Sequence, residues 1–302
     1  MKFLLAILCT AWSLLPLPAL ACACGCGVFD VGGNVMVATQ PGLEGFIEED
    51  YMDQTQNWSG RSSAPAQNNT DREIRTNFVT LGVQDMITHD WGVMVEVPVW
   101  NRVFRTTSNG PLETFDHTAL GDIRLLGVYT GFSHDGSTGL IAGVRLPTGD
   151  WRYPNFDRDV EIGSGSTDVM LGAYHFGAIG RTEHWTYLVQ AMTDLPVSGQ
   201  GGYHPGDEID ASAAITYQGW TVGRVQIEPL LQVIASARAS DRGPAADPDN
   251  SGYQRLILSP GLQASIDRWR LYGDVEFPVY QNVRGNQLIA PELFKLVLSR
   301  NF

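Results

Sequence analysis

The residues best suited to chemistry stand near the start of the chain. Cys22, Cys24 and Cys26 occupy alternate positions in "ACACGCG", spaced by Ala23 and Gly25 and followed by Gly27, Gly32 and Gly33. Three thiolates this close suit one soft ion, Cu(I) or Zn(II). An extended strand would project all three sulfurs to one side, so wrapping an ion requires the glycines to turn the backbone. The spacing equally admits a disulfide between two of the three, oxidation, or acylation of Cys22, and an oxidising compartment favours these over free thiols.

A second candidate is "SHDGSTG", in which His134 and Ser137 lie close enough to suggest a membrane-embedded hydrolase. Asp135-Gly136 reads instead as a hairpin turn with positive φ angles. His89, His117, His175, His184 and His204 have no partner at a meaningful spacing, so no catalytic residue is assigned and the chain is read as a non-enzyme. No Cys-x-x-Cys-His motif occurs, so the chain itself carries no c-type haem.

The third set is larger: Glu96, Arg102, Asp122, Arg124, Arg145, Arg224, Glu228, Asp274 and Glu276. Each sits on the polar face of a segment that alternates apolar and polar residues. In "WGVMVEVPVWNRVF", Trp91, Val93, Val95, Val97 and Val99 share one face, while Met94, Glu96, Pro98, Trp100 and Arg102 share the other. Period two means strand.

About twelve such segments follow one another, near 43–54, 73–87, 91–105, 118–132, 138–148, 165–179, 184–196, 207–218, 221–237, 253–266, 269–281 and 290–302, an even number as bacterial barrels require. Their connections alternate. Five are short (88–90, 133–137, 180–183, 218–220, 267–268), and six are long and rich in Asn, Ser, Gly, Asp and Pro (55–72, 106–117, 149–164, 197–206, 238–252, 282–289). A β-sandwich also alternates in period two. Strand length, the short-then-long order and the C-terminus favour an antiparallel outer-membrane β-barrel. The ending "FKLVLSRNF" puts Phe294, Leu296, Leu298 and Phe302 on one face, resembling the signal read by barrel-assembly machinery, with Arg300 as a departure. Trp91, Trp185, Trp220 and Trp269 gather beside the short turns, as an interface girdle would. The charged set would then line the lumen, pairing internally or setting the selectivity of a narrow pore.

The N-terminus fits export. Residues 1–21 carry Lys2, an apolar run and a small-residue "ALA" ending, which reads as a cleaved signal peptide. Residues 22–42 form a Cys/Gly-rich segment or plug, and 43–302 the barrel, with both termini expected in the periplasm of a Gram-negative cell. No later window of eighteen apolar residues supports a membrane helix. The net charge of −13, from 20 Lys plus Arg against 33 Asp plus Glu, argues against nucleic acid as a partner.

Five stretches carry a family resemblance: "EIRTNFVTLGVQDMITHDWGVMVEVPVWNRV" (73–103), "LGDIRLLGVYTG" (120–131), "VRLPTGDW" (144–151), "GSGSTDVMLGAYHFG" (163–177) and "LSPGLQASIDRWRLYGDVEFPVYQNVRGNQL" (258–288). Together they resemble outer-membrane barrels described as transporters of the phenol-degradation meta-pathway. The resemblance implies passive or facilitated passage of a small solute; it supplies no catalytic residue. The competing expectation is a structural or assembly barrel that anchors a periplasmic or extracellular partner, in metal handling or electron transfer. Expected partners are outer-membrane lipid, barrel-assembly machinery acting on the strand that ends at Phe302, and a small-molecule solute. No cofactor is expected, apart from a Cu(I) or Zn(II) ion at Cys22, Cys24 and Cys26.

Overall fold

The computed structural model describes residues 42–181 and 184–302. The expected signal peptide and the segment bearing Cys22, Cys24 and Cys26 lie outside the described residues.

Among the described residues the regular elements are strands and one short 3-10 turn. In order the strands are β1 (Gly42–Gln54), β2 (Gln56–Gly60), β3 (Ser62–Ser63), β4 (Asp71–Met86), β5 (Trp91–Thr106), β6 (Glu113–Leu120), β7 (Arg124–Tyr129) and β8 (Thr138–Arg145). They continue as β9 (Ser166–Ala178), β10 (Trp185–Gly199), β11 (Glu208–Tyr217), β12 (Trp220–Val222), β13 (Val225–Arg238), β14 (Tyr253–Ile266), β15 (Trp269–Ile289) and β16 (Leu293–Asn301). All pairings are antiparallel, and β16 returns to pair with β1 from Asn301↔Glu44 to Leu293↔Met52. The Phe302 N–H donates to the Leu43 carbonyl at 2.9 Å and completes this seam. The result is a closed barrel of twelve staves, with β6 and β7 sharing one and β2, β3 and β12 as short additions. Closure removes every long sheet edge, which is what a strand needs to cross hydrocarbon.

Alternation decides which side chains face in. On β5, Gly92, Met94, Glu96, Pro98, Arg102 and Phe104 are buried, while Trp91, Val93, Val95 and Val99 are exposed. The exterior continues this apolar belt through Leu81 and Val83 on β4, Leu125 on β7, Leu262 on β14, Leu271 on β15, and Leu296 and Leu298 on β16. Trp91, Trp185, Trp220 and Trp269 stand exposed at its short-turn margin. So large an exposed apolar surface has the composition of one facing lipid.

Three sequence expectations need correction. The segment read as one strand over 118–132 is broken: β6 pairs with the upper half of β5 and β7 with its lower half, and residues 121–123 leave the ladder. Long-range hydrogen bonds to the 146–165 connection cause the break, as described below. The expected loop at 282–289 is strand instead, because β15 runs to Ile289 and pairs beyond a bulge with β2. The "SHDGSTG" turn differs in detail as well. Only Gly136 has positive φ (68°), since the connection is long enough that Asp135 need not adopt it.

Candidate functional site

Three layers fill the barrel interior. Toward the short turns, Phe46, Met94, Leu126, Val128, Ile141, Met170, Tyr174, Met192, Tyr272 and Val297 form one apolar cluster. A belt of charge lies above it. Toward the long loops, the 146–165 connection folds into the lumen, where Phe156, Val160 and Ile162 pack against Ile74, Phe104 and Leu288 of the wall.

The charged belt is paired across strands. Arg124 reaches Glu96 at 3.2 Å, and Arg145 bridges Asp168 and Asp194, the latter at 2.8 Å. On the opposite wall, fully buried Lys295 lies 3.2 Å from Glu48 and 3.3 Å from Asp50. Asp274 accepts from Tyr272 and from Ser259, the latter at 2.8 Å, while neither carboxylate oxygen of buried Glu276 has a hydrogen-bond partner. Glu228 accepts from Gln226 at 2.7 Å and from Gln263. Charges this deep are costly unless paired or hydrogen-bonded, and of these residues Glu276 is the exception to that pairing.

Arg102 and Asp122 act differently: they hold the inserted loop. Arg102, 0% exposed, donates from Nε to Thr76 Oγ1 at 2.9 Å, and from Nη1 to the carbonyls of Val160 at 2.6 Å and Glu161 at 3.0 Å. The Asp122 carboxylate accepts the Gly149 N–H at 2.9 Å and the Ser164 N–H at 2.8 Å, tying both ends of the loop to the point where the stave breaks. The Asp150 N–H donates to the Leu120 carbonyl at 3.1 Å and the Gly163 N–H to the Asp150 carbonyl at 2.7 Å. The motifs "LGD", "LPTGD" and "GSGS", scattered along the sequence, therefore converge on one knot. His117 on β6 adds a bond of 2.9 Å to Asp150 and stacks on Tyr153 of the loop at 4.0 Å.

Between loop and wall lies a cavity of about 70 Å³, lined on its guanidinium side by Arg124, Arg145, Arg158 and Arg238 and on its acidic side by Asp122 and Asp194. Arg158, from the loop, lies over the Tyr203 ring at 4.3 Å and the Trp151 ring at 5.2 Å. Burial pushes the Glu161 carboxyl of the loop up to about 7 and raises that of Asp157 as well.

Of the nine charged residues selected from sequence, Glu96, Arg102, Asp122, Glu228, Asp274 and Glu276 are buried inside, and Arg124 and Arg145 reach inward to their partners. Arg224 is a correction. It sits in the turn between β12 and β13 with its side chain 75% exposed, paired with Asp267, because the strand begins one residue later. The loop residues Phe156, Arg158 and Val160, and the wall residues Lys295, Glu48 and Asp50, were not selected. Lys295 alternates with Phe294 and Leu296 in the terminal strand, a signal the apolar face obscured. His134 and Ser137 belong to a turn: the His134 carbonyl accepts from His89 at 2.9 Å and the Ser137 N–H donates to Asp135 at 3.1 Å. Among the described residues no three His, Cys, Asp or Glu side chains gather into a metal cage.

A closed twelve-stave barrel with an apolar exterior, a paired charged interior and an inserted loop defines a transmembrane barrel of the outer-membrane type. An outer membrane channel from Pseudomonas putida F1 shares this fold, with a TM-score of 0.67 and 12% identity, covering 90% of this chain and 100% of that one. The β domain of the Bordetella autotransporter BrkA is similar with a TM-score of 0.53 and 10% identity, covering 87% and 100%. Comparison with curated protein sequences gives no match. Residues 53–284 match the family described as "Putative MetA-pathway of phenol degradation", and the chain belongs to that family.

Proposed function

We propose that this protein is an outer-membrane channel for a small solute, with the 146–165 loop as the movable stopper of its lumen and both termini in the periplasm. One observation carries the reading: at the long-loop end the lumen is filled by a loop tied down through side chains, not by the wall itself. Arg102 and Asp122 hold the stopper, and the belt of Glu96, Arg124, Arg145, Glu228, Asp274 and Glu276 sets the charge that a solute meets beneath it. The family's description names phenol degradation, which makes single-ring aromatic compounds the class to try first.

Planar-bilayer recording and liposome swelling with phenol and benzoate test the proposal. Wild type should show small conductance steps, and deletion of residues 152–161 should enlarge both conductance and solute flux. Equal conductance in the two proteins, with no flux of either compound, would overturn it.

A further inference from the structure

The cavity between loop and wall holds one cation that the chain does not neutralise by pairing. Of its four guanidinium groups, that of Arg124 pairs with Glu96, that of Arg145 with Asp168 and Asp194, and that of Arg238 with Asp241. Arg158 of the loop forms an ion pair with no carboxylate among the described residues. It donates from Nη2 to the Ser164 carbonyl, while its buried Nε–H has no acceptor. The buried Nε–H of Arg145, at the same cavity, also has none. A buried donor left without an acceptor carries its full desolvation cost. Two of them at one cavity point to an acceptor from outside the chain.

The position of Arg158 is built, not incidental. Its guanidinium lies over the Tyr203 ring at 4.3 Å and the Trp151 ring at 5.2 Å. Gly165, with φ of 62°, leaves the room for this packing: a Cβ there would come within 2.7 Å of Arg158 Nη2 and 3.0 Å of the Trp151 ring. The acids around the cavity are engaged elsewhere. Asp122 accepts two backbone N–H groups, Asp194 takes Arg145, and Glu208 accepts from Tyr253 and Ser236. Asp159 has a partner as well. Burial holds the Glu161 carboxyl at about 7, so it is half neutral at that pH. Trp100, Ile162 and Pro205 give the same cavity an apolar side.

We propose that this cavity binds the carboxylate of a small organic acid, with the acid group on Arg158 and the Arg145 Nε–H and the carbon skeleton against Trp100 and Ile162. A carboxylate matches the planar fork of a guanidinium, and hydrogen bonds between two charged groups are the strong ones. The volume of about 70 Å³ corresponds to roughly five water positions. It takes the acid group whole, and a single ring extends through the open side of the cavity. A neutral phenol brings no charge to Arg158, so the favoured solute is the anion of an aromatic acid. That this anion is the solute carried rests on the channel reading; the binding site itself does not.

The test is calorimetric titration of the full-length protein in detergent with sodium benzoate, with phenol and with inorganic phosphate. One benzoate per chain is expected, and phenol and phosphate should each bind at least about tenfold more weakly, the scale of one hydrogen bond to a charged group. Arg158→Gln should weaken benzoate by about the same factor, while Arg224→Gln in an exposed turn should leave it unchanged. No benzoate binding in the wild type, or equal affinity in Arg158→Gln, overturns the site. Phosphate bound as tightly as benzoate overturns the assignment to carboxylates. The comparison of benzoate with phenol uses the wild type alone, so it decides the matter even if the variant fails to assemble. Liposome flux then separates the site from the channel. Benzoate bound but not carried would overturn the channel reading and leave the site standing; both compounds carried alike by wild type and Arg158→Gln would do the reverse.

Discussion

Arg102 on the barrel wall donates to the Val160 carbonyl of the inserted loop at 2.6 Å, closer than its bonds to Thr76 and Glu161. The guanidinium is fully buried and lies within 6.0 Å of the Phe78 ring and 5.7 Å of the Trp100 ring, so its approach is fixed on two sides. A lysine would keep the charge but lose the fork that serves Thr76, Val160 and Glu161 together.

Arg102→Ala, and to a lesser degree Arg102→Lys, should therefore free the loop without opening the barrel. Limited proteolysis of the protein in detergent reads this directly. The wild-type chain should resist cleavage between residues 146 and 165, and Arg102→Ala should be nicked there while the barrel stays folded. Identical digestion patterns would show that Arg102 does not hold the loop.

The base of the loop makes an independent demand. A Cβ built on Gly163 would come within 2.4 Å of the Gly149 carbonyl carbon, and one on Gly149 within 2.7 Å of the Gly163 Cα. These are backbone atoms, pinned by Asp122, and cannot yield as a side-chain tip would. Gly163→Ala should cost about 2 kcal/mol, the range for overpacking a well-filled site. Gly127→Ala is the control, because its nearest neighbour is the Ala142 carbonyl oxygen at 3.6 Å, an ordinary contact. Thermal unfolding in detergent should separate the two variants; equal midpoints would mean that the knot tolerates a methyl group.

How much of this could be read in the sequence depends on how local each cause is. Period-two alternation is a local signal, and it placed the staves, the inward side of Glu96 and Glu276, and the exposed tryptophans. The break at 121–123 has a distant cause, the bonds from Asp122 to residues 149 and 164, so alternation runs through it unmarked. The extension of β15 to Ile289 depends on pairing with β2, which lies more than two hundred residues earlier. Tyr153, Phe156, Val160 and Ile162 follow no period, and their seat against Ile74, Phe104 and Leu288 exists only once the barrel closes. Their one visible mark is apolar content in a long connection otherwise rich in polar residues and glycine.

Protons should also loosen or seat the loop. Burial raises the Glu161 carboxyl from 4.5 to about 7, so its charged form is the disfavoured one in the seated state. The sign follows by linkage: the seated loop bears no penalty below about 4.5, a penalty that grows between about 4.5 and 7, and a constant one above. Conductance should therefore increase between pH 5 and pH 7 and level off above, and Glu161→Gln, which cannot ionise, should flatten that rise. A profile unchanged by the substitution would assign the pH dependence to another group.

The seam between first and last strands offers the sharpest stability test. Lys295 on β16 has no exposed side-chain surface and balances Glu48 and Asp50 on β1, at 3.2 and 3.3 Å. Removing one partner of a buried ion pair leaves the other charge uncompensated, which costs about 3–5 kcal/mol, whereas replacing the whole set by neutral groups is close to neutral. Lys295→Met alone should thus lower the temperature at which the folded barrel loses its fast gel mobility. The triple change Lys295→Met, Glu48→Gln, Asp50→Asn should recover most of that loss. If the triple variant is as unstable as the single one, the lysine stabilises the seam through the packing of its stem and not through its charge.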